Sequence, residues 1–149
     1  MEESLEQKKR RLFGKQYLNE YKNVINKITK SNTQDYKILS ILETDKIAEN
    51  GLKLKLKFSK KVLFKDKEEL KNVVFEIFKS DENVYLYTSL SMDCGAIMIK
   101  SITSFNFDFD FMDDYSGILS LIDVNAKNKI LLDFYEEDKI QYMEIELYQ

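Results

Sequence analysis

Hydrophobic residues recur at two different spacings along this chain, and the change of spacing separates helical from strand-like segments. Between residues 3 and 30 they recur every three or four positions, which predicts an amphipathic helix (Phe13, Tyr17, Tyr21, Val24, Ile28). Its first turns, residues 1–12, carry only Leu5 and Leu12 as apolar anchors, so we expect fraying there. A second helix is predicted from Asp66 to Lys79, because Glu69 three residues after Asp66 resembles a capping box.

Strict alternation predicts strands elsewhere. In residues 51–59, GLKLKLKFS, apolar side chains alternate with lysines, as in a half-buried strand. Residues 36–43 are also predicted as a strand, and the turn chemistry of Asn50-Gly51 suggests that the two segments form a hairpin. Further strands are predicted over 84–92, 96–111, 117–124, 129–136 and 139–148, with polar turns between them.

This order predicts one α+β domain over residues 1–149. It would consist of an N-terminal helix, a β-hairpin, a second helix and an antiparallel β-meander, forming one sheet packed by helices. On this hypothesis the helices lie on one face of the sheet, and water reaches much of the other face.

Composition narrows the chemistry. The chain has no histidine, which removes the commonest general base, the commonest zinc ligand and any Ser-His or Cys-His nucleophile. We therefore expect no enzyme, no cofactor and no metal site. Its single cysteine, Cys94, excludes an internal disulfide and suits a reducing cytosol, so a cytoplasmic location is expected. No stretch approaches the roughly 20 apolar residues of a membrane span, and no membrane partner is predicted.

Charge is sorted by position along the chain. Residues 1–79 hold 19 of the 23 Lys and Arg residues against 12 acids, whereas residues 80–149 hold 4 against 14 acids. The formal net charge of −3 therefore combines a basic half with an acidic half. Such asymmetry usually concerns what a protein binds.

The acidic half contains the main candidate binding surface. In residues 105–111, FNFDFDF, a strand would direct the four phenylalanines to the core and the polar residues to solvent. The candidate partner-binding residues are Asp108, Asp110, Asp113, Asp114 and Tyr115, with Glu144 and Glu146 beside Tyr142 and Tyr148 on the last strand. A divalent cation is the weaker interpretation, because carboxylates two apart on a strand are roughly 6.5–7 Å apart.

The basic half offers an alternative. Lysines in and after the alternating segment could follow the phosphates of a nucleic acid: Lys53, Lys55, Lys57, Lys60 and Lys61. The same lysines would also protect an exposed strand from pairing with other chains. Glu137-Asp138-Lys139 loosely matches the Glu-x-Lys layout of metal-dependent nucleases, but it is predicted to be a hairpin turn.

In its size, its element order and the acidic strands around Asp108 to Tyr115 and Glu136 to Glu146, the chain resembles the small acidic immunity proteins of bacteria. That class includes the antitoxins paired with type VII secretion nuclease toxins. The resemblance implies a non-enzymatic inhibitor of a basic, nuclease-like toxin or effector domain. A phage-encoded inhibitor of a host defence protein, a nucleic-acid-binding protein and a homo-oligomeric scaffold stay open as alternatives.

Overall fold

The computed structural model describes residues 2–30, 36–111 and 118–149, which form helices packed on one seven-stranded sheet. The helices are α1 (Leu5–Gly14), α2 (Leu18–Ile28), α3 (Ile41–Leu52), α4 (Lys67–Ile77) and the single turn α5 (Ser91–Cys94). The strands are β1 (Tyr36–Ile38), β2 (Leu56–Leu63), β3 (Val84–Tyr87), β4 (Ile97–Ile99), β5 (Ile118–Asp123), β6 (Lys129–Glu137) and β7 (Ile140–Tyr148). Every neighbouring pair is antiparallel in the order β1-β4-β3-β5-β6-β7-β2. The predicted α+β class with one sheet is confirmed.

The long N-terminal helix is present as α1 and α2, joined by a 3-10 turn at Lys15–Tyr17. Ser4 begins α1 through a capping box. Its hydroxyl accepts the Gln7 N–H at 3.1 Å, and Gln7 Oε1 accepts the Ser4 N–H at 2.8 Å. Two otherwise unsatisfied N–H groups are paired in this way, so the helix begins within the region where we expected fraying.

Residues 36–59 differ from the prediction. The strand expected over 36–43 stops at Ile38, because Ser40 begins α3 with a second capping box in which its hydroxyl accepts the Glu43 N–H at 3.2 Å. Asn50-Gly51 lies in the last turn of α3 and not in a hairpin turn. β1 pairs with β4 and β2 pairs with β7, so the two strands enter the sheet separately, at opposite edges.

The main core lies on one face of the sheet. α2 contributes Tyr21, Ile25 and Ile28, and α4 contributes Leu70 and Val74. They pack with the buried side chains of the central strands, including Leu119, Leu121, Ile130, Leu132, Met143 and Ile145. The buried apolar faces of α2 and α4 therefore cover the sheet, whereas Phe13, which was predicted on the same face as Tyr21, is half exposed.

Residues 105–111 do not form the predicted strand, although their side chains alternate as expected. Phe105, Phe107 and Phe109 are buried, while Asp108 and Asp110 are exposed. Asn106 explains the irregular backbone. Its side-chain oxygen accepts the Asp108 N–H at 3.0 Å, and its amide donates to the Lys27 carbonyl at 2.9 Å. Such local bonds compete with a strand ladder, so the alternation is maintained by packing of the rings and by a few backbone contacts, such as the Thr29–Phe105 bridge.

Helix α3 covers part of the second face of the sheet. Ile47 and Ala48 pack near Leu39, Tyr87 and Ile122. Thr44 joins the layers. Its hydroxyl accepts the Ala96 N–H at 2.8 Å, and its carbonyl accepts the Tyr87 hydroxyl at 2.6 Å. The covered area therefore lies over β3, β4 and β5.

Two helical glycines give a matched test of this packing. A Cβ on Gly14 would lie 2.2 Å from the Asp93 carbonyl oxygen, whereas one on Gly51 would first meet Ile122 Cδ1 at 3.4 Å. We expect Gly14→Ala to lower the free energy of unfolding by about 2 kcal/mol through overpacking. Gly51→Ala should be neutral or raise it by up to about 1 kcal/mol through helix propensity. Urea denaturation of both variants measures this, and equal midpoints would contradict the close approach of α1 to α5.

Candidate interaction surface

The second face of the sheet carries a row of tyrosines and carboxylates over β6, β7 and β2. Successive residues of a strand point to opposite faces, so the buried Ile130, Leu132 and Phe134 place their neighbours on the opposite side. We call the resulting surface the outer face. It consists of Lys129, Leu131, Asp133, Tyr135, Tyr142, Glu144, Glu146, Tyr148, Ser59, Lys61 and Leu63.

Helix α3 covers only the margin of the outer face, next to β5 and the start of β6. Gly51, in the last turn of α3, approaches side chains of Ile122 and Lys129. Beyond that point the outer-face residues of β6 and β7 are half-buried by their strand neighbours, while Ser59, Lys61 and Leu63 on β2 are exposed. The surface is thus a partly open face of the sheet.

Two tyrosines form its aromatic centre. The Tyr135 and Tyr142 rings stack with centroids 5.8 Å apart and an interplanar angle of 29°. Lys61 Nζ lies 4.2 Å from the Tyr142 centroid, and it contacts the Glu137 carboxylate at 3.2 Å. Its hydrogen bond to Glu137 raises the pKa of Lys61 above the ordinary value. Lys61 is therefore engaged at one end of the tyrosine pair.

Three carboxylates lie beside this centre. Asp133 and Glu144 are directly opposite each other on β6 and β7, and Glu146 follows on the same side of β7. Within the described part of the chain, none of the three forms a salt bridge. Glu144 accepts the Ser59 hydroxyl at 2.7 Å, and Glu146 accepts the Tyr148 hydroxyl at 3.2 Å. Like charges directly opposite on a sheet are destabilising, so fold stability does not account for this pair.

The structure separates the acidic residues that the sequence grouped together. Asp108 and Asp110 are exposed, but they lie on the side of the sheet that carries the main core. There their negative charges favour the charged form of Lys67. Lys67 Nζ donates to the Phe109 carbonyl at 2.9 Å and lies 4.0 Å from the Phe64 centroid, and burial lowers the pKa of this lysine. Glu144 and Glu146 lie across the sheet on the outer face. Asp113, Asp114 and Tyr115 are outside the described residues.

The five lysines that the sequence offered as a nucleic-acid-binding surface do not lie on one face of the sheet. Lys53 follows α3, Lys55 pairs with Gln149, and Lys57 is the extra residue of a bulge. Lys60 contacts Glu69 of α4 at 2.6 Å, whereas Lys61 is on the outer face. The bulge pairs Leu56 with Tyr148 and Phe58 with Leu147. It therefore places these two apolar residues on opposite faces, contrary to the predicted alternation.

Sequence reasoning missed Asp133 and Tyr135. The alternation of apolar and polar residues in 129–137 could have indicated both, because Asp133 follows the buried Leu132 and Tyr135 follows the buried Phe134. Residues 137–139, which loosely matched a nuclease layout, do form the predicted turn: Asp138 and Lys139 have φ values of 50° and 66°.

Within the described residues, every buried side-chain nitrogen or oxygen atom has a hydrogen-bond partner. The Cys94 thiol is half-buried and lies 3.4 Å from the Gly14 carbonyl oxygen, to which it donates, and burial raises its pKa above the ordinary value. The Tyr21 hydroxyl donates to the Gly95 carbonyl at 2.5 Å and contacts Ser91. Over residues 2–30, 36–111 and 118–149, no group of three or more Asp, Glu or Cys side chains is placed to hold a metal ion.

Comparison of the chain with protein-family models, with curated proteins and with solved structures found no match in any of the three.

Two acidic residues of the same sheet distinguish a binding role from a structural one. Asp123 is buried, and its carboxylate accepts the N–H groups of Lys127 and Asn128 at 2.8 and 3.1 Å. We expect Asp123→Asn to lower the free energy of unfolding by about 1–3 kcal/mol. Glu144→Gln should leave it unchanged or raise it by up to about 0.5 kcal/mol, because the repulsion from Asp133 is removed. Urea denaturation measures both, and a destabilised Glu144→Gln variant would show that this carboxylate supports the fold.

Proposed function

We propose that the protein is a non-enzymatic binding module that uses the outer face to bind a basic protein. The observation that carries the proposal is the opposed pair Asp133 and Glu144 beside the stacked Tyr135 and Tyr142, on a part of the sheet that none of the described helices covers. Tyrosine is enriched in the cores of protein interfaces, where its ring buries a large area and its hydroxyl keeps a polar contact.

The carboxylates favour a cationic partner. A Lys or Arg side chain entering between Asp133 and Glu144 would relieve the repulsion between them and gain charge-assisted hydrogen bonds. Arginine can also lie flat on a tyrosine ring. The open surface lies on β-strands of a packed sheet, so its side chains are held in place before binding, which lowers the entropy lost on association.

Within this class, we propose an immunity or inhibitor protein that neutralises a basic, nuclease-like toxin or effector domain. A nuclease has a cationic substrate-binding surface, and the carboxylates of the outer face complement such a surface in charge. Attraction between opposite charges would also speed association at low salt. The alternative is a phage-encoded inhibitor of a host defence protein, which would use the same surface to bind its target.

Nucleic-acid binding is the weaker candidate on this geometry. A lysine surface that follows a phosphate backbone needs its ammonium groups side by side. Here Lys60 and Lys61 project to opposite sides of β2, and each contacts a glutamate of the same chain.

Affinity capture from the source-cell lysate tests the proposed surface. The bait proteins are the tagged wild type, a Glu144→Lys/Glu146→Lys variant and an Asp108→Lys/Asp110→Lys variant, which has the same change of net charge on the core side. We expect one basic protein with the wild type and with the Asp108/Asp110 variant. The outer-face variant should bind it roughly tenfold to hundredfold more weakly, because two attractive contacts become repulsive.

The captured partner then allows a quantitative measurement. Tyr142→Ala should weaken binding about 30-fold if this ring is a central anchor, and the wild type should inhibit any nuclease activity of the partner at a one-to-one ratio. Equal binding by the outer-face variant, or loss confined to the Asp108/Asp110 variant, would contradict the outer face as the site. Recovery of nucleic acid that disappears after nuclease treatment would contradict the protein-binding proposal itself.

A further inference from the structure

Helix α1 packs against the rest of the protein through its polar side. Gln7 and Arg10 both bind the Asp45 carboxylate, at 2.9 Å for Gln7 and at 2.9 and 2.7 Å for the two guanidinium nitrogens. Arg10 also donates to the Met92 carbonyl at 2.6 Å. Gly14, one turn further along the same side, lies against the Asp93 backbone. Positions 7, 10 and 14 share one face of a helix, so the inward face of α1 is polar.

The opposite face of α1 carries the apolar residues. Leu5 and Leu12 are 70% and 47% exposed, and Phe13, on the flank of the helix, is 49% exposed and contacts the Tyr17 ring with centroids 5.2 Å apart. Lys8 and Lys9, which lie between the leucines on this face, are exposed as well. The usual arrangement of a surface helix, with its apolar side inward, is therefore reversed.

Although the sequence predicted no membrane partner, we propose that this outward face of α1 binds the surface of a bilayer that contains anionic phospholipid. Leucine and phenylalanine side chains can enter the boundary between headgroups and acyl chains. Lys8 and Lys9 can lay their aliphatic stems along the same boundary and reach the phosphates with their ammonium groups. Within the described residues, no helix is both long enough and apolar enough to cross a bilayer, so the contact is with the surface.

The arrangement favours a lipid surface over other anionic partners. A hydrophobic groove of a protein binds a helix that has apolar residues at positions i, i+3, i+4 and i+7. In α1, the positions i+3 and i+4 from Leu5 are the two lysines. A nucleic acid would use the lysines and leave three apolar side chains in water. A bilayer accommodates both kinds of side chain at the same depth.

Several acidic residues of this region are engaged by arginines. Glu3 is paired with Arg11 at 2.9 Å, and Asp45 is occupied by Arg10. Glu2 and Glu6 are exposed near the start of the helix, and Lys15 follows at its end. The acidic outer face belongs to other strands of the sheet, and screening over about 8–10 Å at physiological salt limits its repulsion.

Co-sedimentation with vesicles tests the proposal on the full-length protein. The vesicles contain phosphatidylcholine alone or with about 30 mol% phosphatidylserine, at about 50 mM salt to preserve electrostatic attraction. We expect the wild type to sediment with the anionic vesicles only. Lys8→Gln/Lys9→Gln should lower the partition coefficient about 25-fold, because each lysine contributes a factor of roughly 5. Leu5→Ser/Leu12→Ser should lower it by about tenfold or more through lost insertion.

The matched control is Lys55→Gln/Lys57→Gln, which removes two exposed lysines from a different part of the fold. It should bind vesicles like the wild type, and thermal denaturation should show that all variants remain folded, since the changed side chains are exposed. Absence of wild-type sedimentation, or an equal loss in the control, would overturn the proposal. So would binding to polyglutamate through Lys8 and Lys9 without binding to vesicles, because the partner would then be an acidic polypeptide.

Discussion

The register of the β6–β7 hairpin is the constraint on which the rest of the structure depends. Its two strands pair residue by residue from Glu137–Ile140 to Lys129–Tyr148, and the loop residues Asp138 and Lys139 both have positive φ. A two-residue loop of this kind matches the twist of the strands and fixes the pairing. A slip of one residue would expose Met143 and bury Glu144. The core and the outer face are therefore two consequences of one register.

Incomplete coverage of the sheet gives the molecule its candidate binding surfaces. α2 and α4 fill one side, while α3 covers the other side only as far as the edge of β6. α1 is held away from the main core by Arg10 and Asp45. Their mutual hydrogen bonding raises the pKa of Arg10 and lowers the pKa of Asp45. The polar attachment leaves the apolar side of α1 outward, just as limited coverage by α3 leaves the tyrosines of β6 and β7 accessible.

Charge sorting along the sequence does not become two oppositely charged sides of the molecule. Lys60 and Lys61 from the basic half contact Glu69 and Glu137, and Lys67 lies close to Asp108 and Asp110. Pairing within the sheet brings basic β2 beside acidic β7. Many of the oppositely charged residues of the two halves therefore contact each other within the fold. The charged groups left for a partner lie in two small areas, the carboxylates of the outer face and the lysines of α1.

The sequence by itself determined the α+β class, both amphipathic helices, the meander of β5, β6 and β7, and the burial of alternate phenylalanines, because hydrophobic periodicity reports directly which side chains avoid water. It also placed Tyr142, Glu144, Glu146 and Tyr148 on one side of a strand. Tertiary structure decided the neighbours of β1 and β2, the bulge at Lys57 and the extent of coverage by α3. It also separated Asp108 from Glu144. These features depend on contacts between residues far apart in the chain, about which local spacing carries no information.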